Sequence, residues 1–340
     1  MTFKRILTSI FSTLTLTIFI STTVNATAHD DYVSVENCEW WDIGCHLTQD
    51  NNRYNTKYPI VLVHGVSGFD EILFVEYFHG IPSELRDGGA KVYIPNLSSW
   101  DGVEVRGEQL IAYIQSHVLP NSGASKVNLI GHSMGSPTSR YVAAVYPDVV
   151  ASVTSANGAN SGSHFADFML YALLPEENPL YASYIGFFEG LLSTVGTILD
   201  FLASGESFSQ DSMQATYDLS TPGSMEINAK YPDGQPTTSC GSGAETVNGI
   251  NYYSWGGIGG ITNILDPLDY AMTFIGIATA DGEETDGLVG RCQQRWGKVL
   301  RDDYNLNHTD GSNLLFGMTG FTDAKDIYQS HSNRLREKSL

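Results

Sequence analysis

Basic residues are scarce in this chain: 18 lysines and arginines stand against 38 aspartates and glutamates, a formal net charge of −20. A chain of this charge is repelled by phosphate backbones and anionic lipid, so neither nucleic acid nor an anionic membrane is expected as a partner. Long apolar runs are scarce as well. Beyond the amino-terminal 20 residues there is no run of 18 or more apolar residues. We therefore expect no transmembrane segment in the mature chain.

Cysteine is the next scarce residue, with four in 340 positions. An even count in an exported chain indicates two disulfides, and four cysteines allow three pairings. Nearest-neighbour pairing is the simplest of the three and gives Cys38–Cys45 and Cys240–Cys292. Neither pair has the short spacing and accompanying histidines of a zinc site, so metal binding by these cysteines is not expected.

The amino terminus has the three parts of an export signal. Lys4 and Arg5 precede an apolar run, Ile6–Ile20, and small residues follow at Asn25–Ala28. This pattern predicts a signal peptide over residues 1–28 that is removed in the mature, secreted protein. Residues 29–57, which contain Trp40 and Trp41, are polar and irregular, and we expect them to form an extension packed on the domain surface.

The most informative stretch is KVNLIGHSMGSPTSR, from Lys126 to Arg140. An apolar strand-like run, Val127–Ile130, leads into Gly-His-Ser-Met-Gly, and a helix-like segment follows Pro137. A serine between a strand and a helix, with glycine two positions away on each side, is the nucleophile elbow of α/β-hydrolases. The pattern predicts Ser133 as the nucleophile. It also predicts that the backbone N–H of Met134 donates to an oxyanion.

Elements upstream agree with this fold. Tyr58–Val63 is a continuous apolar run, typical of a buried parallel strand. His64-Gly65 follows it, where this fold places its second oxyanion donor, here the backbone N–H of Val66. Strand-like and helix-like segments then alternate, with a helical spacing over 103–118. The sequence predicts one α/β domain over 58–340, with a mostly parallel central sheet and helices on both faces.

A serine nucleophile needs a histidine and an acid later in the chain. His308 lies in a polar loop near the end of the domain, His164 comes too early, and His331 lies in a polar helical tail and is expected on the surface. For the acid, Asp286 in Thr-Asp-Gly-Leu-Val is favoured, and Asp281 and Asp266 remain as competitors.

Several motifs together resemble a known family. They are YPIVLVHG at 58–65, GFD at 68–70, EVRGEQL at 104–110, the elbow stretch, RYVAA at 140–144 and HSNRL at 331–335. The chain resembles the secreted, foldase-dependent triacylglycerol lipases of Pseudomonas and Burkholderia type, from Tyr58 to its end. The resemblance implies Asp286 as the acid. It implies a helical lid over the apolar segment 181–202, and a lipase-specific foldase that assists folding in the periplasm before export.

The resemblance also implies one structural Ca²⁺. Its ligands would be the carboxylates of Asp266 and Asp310 and the backbone carbonyls of Leu314 and Met318, a hard oxygen set that suits this ion. Leu314 departs from the polar residue of relatives, which a main-chain ligand tolerates. At the elbow, the chain departs from the resembling lipases at two positions: Met134 stands where they have a polar residue, and Ser136 stands where they have a glycine.

The function implied is hydrolysis of triacylglycerol at a lipid–water interface through a Ser133–His308–Asp286 triad and an acyl-enzyme. An esterase or a polyester hydrolase with the same triad is the alternative within the same class. A binding protein that has lost catalysis is the alternative from another class. The presence of all three triad residues speaks against it.

Overall fold

The protein is described by a computed structural model, which covers residues 52–66, 71–72, 75–172 and 210–340. The predicted signal peptide, residues 29–51 of the extension with Cys38 and Cys45, and the predicted lid over 181–202 lie outside the described residues. Within the described ranges, no helix has both the length and the apolar character that crossing a bilayer requires.

The described chain alternates strands and helices. The strands are β1 (Ile60–Val63), β2 (Glu71–Ile72), β3 (Val75–Glu76), β4 (Val92–Tyr93), β5 (Val127–His132), β6 (Val150–Ala156), β7 (Thr246–Val247), β8 (Ile250–Gly257) and β9 (Lys298–Tyr304). The helices are α1 (Ile81–Asp87), α2 (Val103–Tyr113), α3 (Leu119–Ser122), α4 (Gly135–Val145), α5 (His164–Ala172), α6 (Gln210–Leu219), α7 (Thr221–Lys230), α8 (Pro267–Thr279), α9 (Leu314–Gly317) and α10 (Ala324–Glu337).

Seven of these strands form one sheet in the order β4-β1-β5-β6-β8, with β7 and β9 both pairing with β8. Every pair is parallel except the short β7–β8 hairpin. The predicted α/β-hydrolase architecture, a mostly parallel sheet between helices, is therefore confirmed. Parallel strands all end at one edge of the sheet, so the residues that follow β1, β5, β6 and β9 come together there.

Both faces of the sheet are buried, as the continuous apolar strands predict. In β1, Ile60 and Leu62 pack on one side with α1 and α10. Val61 and Val63 pack on the other side with α2, α4 and α7. All four side chains have no exposed surface. Successive side chains of a strand point to opposite faces of the sheet, so β1 contributes to two apolar cores, one on each face.

Two helix boundaries differ from the sequence expectation. α4 begins at Gly135, the last residue of the elbow motif, and Pro137 lies within its first turn, where the missing N–H of proline costs no hydrogen bond. The helix predicted over 103–118 is α-helical to Tyr113 and then widens into a π-helical stretch, Ile114–Val118.

The expectation that His331 lies on the surface is wrong. The His331 side chain is 1% exposed. Its Nε2 is 2.8 Å from the Thr154 hydroxyl on β6, and its ring packs edge-on against Trp255. The polar sequence of α10 hides one inward stripe at helical spacing, formed by Ile327, Tyr328, His331 and Leu335. The histidine belongs to that stripe.

The structure contains the Cys240–Cys292 disulfide that nearest-neighbour pairing predicts. It joins the turn after α7 to the turn that follows the Asp286 loop. Beside it, Arg291 and Arg295 both pair with the Asp302 carboxylate on β9. The segment that follows the candidate acid is therefore bonded covalently to the loop before β7 and held by ion pairs to β9 of the sheet.

Replacing His331 should change how stability depends on pH. Burial, with a smaller contribution from Arg334, holds the pKa of His331 well below 6.5. The unfolded chain therefore takes up a proton below about pH 6.5 that the folded chain does not, so wild-type stability decreases as pH falls. We expect the stability advantage of wild type over His331→Gln to shrink by about 1.4 kcal/mol per pH unit between about pH 6 and pH 5. Urea unfolding at several pH values measures this difference.

Tyr328→Phe is the matched control for this prediction. Tyr328 lies on the same face of α10 as His331. The substitution removes the hydrogen bond that its hydroxyl donates to the Gly311 carbonyl at 3.0 Å. Its cost should be the same at both pH values, because burial raises the pKa of this phenol and keeps it protonated. A constant difference between wild type and His331→Gln across this pH range would contradict the prediction.

Candidate active site

Ser133 occupies the turn between β5 and α4 with a left-handed backbone, φ 55°. For a residue other than glycine this conformation costs about 1–3 kcal/mol and persists only where the surroundings impose it. Here the Ser133 N–H donates to the Ala156 carbonyl at 3.2 Å, and its carbonyl accepts from Ser136 and Ala159. The strained turn is held on both sides of the peptide unit.

The two glycines of the motif are required by close approach. A Cβ on Gly131 would lie 2.2 Å from the Gly135 carbonyl oxygen, and a Cβ on Gly135 would lie 2.1 Å from the Val63 carbonyl oxygen. Any side chain at either position would force strand and helix apart. The G-x-S-x-G spacing thus follows from the tightness of the turn.

Two backbone amides flank Ser133 without acceptors. The end of β1 lies against the serine: a Cβ on Gly65 would be 2.7 Å from Ser133 Cβ and 3.0 Å from Ser133 Oγ. Among the described residues, neither the Val66 N–H nor the Met134 N–H donates a hydrogen bond. Two such amides beside a serine hydroxyl are the arrangement that stabilises an oxyanion.

Asp286 and His308 form a buried pair. His308 Nδ1 is 2.8 Å from Asp286 Oδ2, and the His308 N–H donates to the Asp286 carbonyl at 2.7 Å. The Asp286 carboxylate also accepts from the amides of Leu288 and Val289, and from the side chain of Asn157 at 3.0 Å. The side chains of Asp286 and His308 are 0% and 6% exposed. These donors fix the carboxylate and leave His308 Nε2 as the open ring nitrogen.

The competing acids lie elsewhere. Asp281 is exposed in the turn after α8, with φ 48°. Asp266 is the N-cap residue of α8 and belongs to a separate acidic cluster. Of the three candidate acids, the structure brings Asp286 to His308. Ser133 Oγ makes no hydrogen bond with a described residue. Catalytic hydrogen bonds are often long or unformed in ligand-free sites and tighten when substrate binds.

A chain of hydrogen bonds links these parts beneath the serine. The Gly65 N–H donates to the Tyr77 hydroxyl at 3.0 Å, and that hydroxyl lies 2.7 Å from His132 Nδ1. His132 Nε2 lies 2.9 Å from the His308 carbonyl. A carbonyl can only accept, so Nε2 carries the hydrogen and Nδ1 accepts from the tyrosine. Burial, together with the nearby His308, holds the pKa of His132 well below 6.5, which keeps this ring neutral.

The loop after β1 rests on a buried cation. Arg106 on α2 has no exposed surface, and it donates to the carbonyls of His64 and Ser98. His64 is itself buried: its Nδ1 donates to the Gly65 carbonyl, and its Nε2 accepts from Leu97. Burial and the adjacent Arg106 lower the pKa of His64 to about 3. His64 therefore shapes the loop as a neutral side chain.

Three carboxylates, those of Asp266, Asp269 and Asp310, cluster next to the His308 loop. Each is buried, and each contributes one oxygen to a group in which all distances are within 4.8 Å. Burial and mutual repulsion raise the pKa of Asp266 to about 6 and that of Asp310 to about 7. The predicted set included Asp266 and Asp310 and missed Asp269.

Asp269 is engaged by protein donors. It accepts from the amides of Thr262 and Asn263 and from the Asn307 side chain. Asp310 accepts through Oδ2 from Thr262 and from the Asn307 N–H, which leaves Oδ1 available to a ligand.

The two predicted carbonyl ligands lie in the segment after Asp310. Leu314 begins α9, and Met318 directly precedes Thr319, whose carbonyl accepts from Asn263. This segment therefore packs on the loop that contacts Asp269. The backbone turns back on itself here, with φ 60° at Phe316 and 68° at Gly317.

Ser136 is part of a buried network behind the elbow. Its hydroxyl donates to Asn160 Oδ1 at 2.7 Å. Asn160 also donates to the Ser155 hydroxyl and the Gln294 carbonyl. Arg140 stacks on Trp296 and donates to Asn228 in the same network. The Ser136 hydroxyl thus ties the first turn of α4 to the loop after β6.

Sequence reasoning missed Tyr77, His132, Asn157 and Asp269. His132 and Asn157 each directly follow or end a strand beside the nucleophile, and that position is the one signal that could have found them. Tyr77 and Asp269 lie in segments whose partners are distant in the sequence.

Comparison with known proteins agrees with this geometry. The family model described as the alpha/beta hydrolase fold matches residues 58–256. A triacylglycerol lipase of Vibrio cholerae is 45% identical over 303 residues, which cover 88% of this chain and 95% of the relative. A triacylglycerol lipase of Pseudomonas fragi is 39% identical over 298 residues, covering 85% of this chain and all of the relative. The crystal structure of Staphylococcus hyicus lipase has a TM-score of 0.54 at 18% identity and covers 83% of this chain and 97% of that one.

The strand order, the elbow and the matched family model make this chain a member of the α/β-hydrolase family. Within that family, its identity over nearly the full length of two relatives makes it a member of the bacterial triacylglycerol lipases, which are serine ester hydrolases.

Removing the Tyr77 hydroxyl should slow catalysis without unfolding the protein. Tyr77→Phe leaves Gly65 N–H and His132 Nδ1 without their shared partner, so the oxyanion loop and the His308 loop lose a connection. We expect kcat for a soluble short-chain ester to fall about tenfold, with KM nearly unchanged. Tyr217→Phe, which removes an exposed hydroxyl bonded to Glu226, is the control and should keep wild-type kcat. Equal kcat in the two variants would show that the Tyr77 hydroxyl does not support catalysis.

Proposed function

We propose that this chain is a secreted triacylglycerol lipase whose nucleophile is Ser133, whose base is His308 and whose acid is Asp286. The observation that carries the proposal is the strained Ser133 backbone at the same sheet edge as a buried aspartate–histidine pair. Beside Ser133, the N–H groups of Val66 and Met134 donate no hydrogen bond to a described residue. Triacylglycerol is the substrate that the names of its relatives give.

The reaction follows from the positions of the hydrogens. His308 Nδ1–H donates to Asp286, so Nε2 is unprotonated and can take the proton of Ser133 Oγ as it attacks the ester carbonyl. The oxyanion that forms accepts from the N–H groups of Val66 and Met134. The imidazolium is stabilised by the Asp286 carboxylate and then protonates the leaving alcohol. Water activated by the same histidine then cleaves the acyl-enzyme.

The hydrogen bonds around Asp286 support its role in this mechanism. Four donors, from His308, Asn157, Leu288 and Val289, fix the orientation of the carboxylate in a buried site. An ion pair with arginine or lysine would compete for the same charge, and among the described residues none is formed. The negative charge therefore acts on the histidine.

Calcium is proposed at the acidic cluster, held by Asp266, Asp310 and the carbonyls of Leu314 and Met318. Ca²⁺–oxygen distances of about 2.3–2.6 Å allow ligand oxygens to be up to about 5 Å apart, which the 4.8 Å cluster satisfies. The neighbouring donors are neutral, so a divalent cation would relieve repulsion between buried carboxylates. Asp310 lies two residues from His308, and the ion would hold that loop in place.

Export and folding are proposed from the sequence alone. The signal peptide over 1–28 directs the chain out of the cytoplasm, a lipase-specific foldase assists its folding, and the apolar segment 181–202 covers the site as a lid in water. These proposals rest on the amino-terminal pattern and on the resemblance.

The first experiment compares emulsified long-chain triacylglycerol with a soluble short-chain ester. Ser133→Ala should lower kcat by about 10⁴-fold or more on both substrates, and Asp286→Asn should lower it by about 10⁴-fold because the histidine loses its orienting acceptor. Asp281→Asn, which changes the competing acid, is the control and should retain activity. A Ser133→Ala enzyme that still turns over would overturn the elbow argument. Hydrolysis of the soluble ester alone would favour the esterase alternative.

Calcium should stabilise the folded protein through Asp266 and Asp310. We expect chelation to lower the Tm of wild type, and we expect Asp266→Asn and Asp310→Asn to have a Tm that no longer responds to calcium. Asp302→Asn, which removes a carboxylate bound to two arginines, should lower Tm but retain the calcium response. If the responses of all three variants match that of wild type, the ion does not bind at this cluster.

A further inference from the structure

Large apolar side chains are exposed in two segments that pack against each other beside the candidate active site. Ile264 and Leu265, in the loop before α8, are 75% and 77% exposed. Ile277 near the end of α8 is 79% exposed, and Phe321 after α9 is fully exposed. We call these four side chains, together with the half-exposed Tyr270, the apolar rim.

The parts of the rim are held together by direct contacts. The Tyr270 hydroxyl donates to the Ile264 carbonyl at 2.9 Å, which fastens the loop to the first turns of α8. A Cβ on Gly320 would lie 2.5 Å from the Thr262 carbonyl oxygen, so the residue before Phe321 rests on the same loop. Ile277 lies seven residues after Tyr270, on the same face of the helix.

The segments that carry the rim expose no charged side chain. Over 258–280 and 313–322 the only charged residues are Asp266 and Asp269, and both are buried. No lysine or arginine occurs in either stretch. A surface that meets anionic lipid uses lysine and arginine, and a chain of net charge −20 is repelled by it. The rim therefore fits an apolar surface that carries no net charge.

The rim is joined to the loops that carry the candidate acid and base. A Cβ on Gly276 would lie 2.9 Å from Thr285, so the end of α8 packs against the Asp286 loop. At the other end of α8, Asp266 and Asp269 meet Asp310, which shares a loop with His308. A surface that contacts the rim is thereby held beside the reacting groups.

We propose that the apolar rim is the part of the protein that seats on an uncharged ester-lipid surface. The proposal rests on the lipase function proposed above and adds the binding surface and the charge class of the lipid. Seating transfers exposed apolar side chains from water into lipid, and each large side chain contributes to the partition constant.

The test measures binding separately from hydrolysis. In a Ser133→Ala background, which leaves the lipid uncleaved, the triple variant Ile264→Ser, Leu265→Ser, Phe321→Ser is mixed with a triolein emulsion stabilised by phosphatidylcholine. We expect its partition constant to fall by about tenfold or more relative to the parent. Replacing part of the phosphatidylcholine with phosphatidylglycerol should weaken binding of the parent. With Ser133 restored, hydrolysis of a soluble short-chain ester should stay within about twofold, because the three side chains are exposed.

The matched control is the triple variant Val105→Ser, Val145→Ser, Met225→Ser. These residues are 47%, 44% and 67% exposed on α2, α4 and α7, helices that pack in a different apolar cluster from α8. The control should bind the emulsion like the parent.

Three results would overturn the proposal. The first is equal binding of the two triple variants. The second is a lower Tm of the rim variant with binding retained, which would mean that the rim packs within the chain. The third is loss of a dimer in the rim variant, which would mean that the rim is a contact between copies. Binding through the rim by an enzyme that never cleaves triolein would instead contradict the proposed function alone.

Discussion

The left-handed turn at Ser133 is the constraint on which the rest of the site depends. It is possible only because Gly131 and Gly135 let β5, α4 and β1 approach to contact distance. That approach places the end of β1 against the serine, since a Cβ on Gly65 would lie 2.7 Å from Ser133 Cβ. The Ser133 N–H is then satisfied by the Ala156 carbonyl, which fixes the neighbouring strand end and the loop that carries Asn157. Strain at one residue is thus distributed over three strands of the sheet.

Three histidines besides His308 are buried among the described residues, and they contribute hydrogen bonds rather than charge. His64, His132 and His331 are buried, and burial holds the pKa of each below its usual value. These neutral rings form hydrogen bonds with their neighbours and add no positive charge near His308. The buried Arg106 donates to carbonyls, and burial lowers its pKa to about 10. Asp286 is the carboxylate that contacts His308 Nδ1, and in the proposed mechanism it stabilises the protonated ring.

The sequence was sufficient where the signal is local. The elbow and the continuous apolar run of β1, which predicts a buried parallel strand, are patterns within a few residues, and the structure has both features. Contacts across long separations were out of reach: Tyr77 meets His132 across 55 positions, and Asn157 meets Asp286 across 129. The choice among three aspartates required the resemblance, because residue type alone cannot show which loop folds back to His308. The sequence does not indicate that His331 is buried, because a helix with mostly polar residues can still bury one narrow stripe of side chains.

The stretch from Asn307 to Phe321 connects chemistry with surface. Asn307 donates to Asp269 and precedes the candidate base, Asp310 completes the acidic cluster, and the chain then reaches the fully exposed Phe321 within eleven residues. The backbone between the cluster and Phe321 is short, and it has positive φ at Asn313, Phe316 and Gly317. One folded segment therefore contains the candidate base, one carboxylate of the cluster and one exposed side chain of the rim.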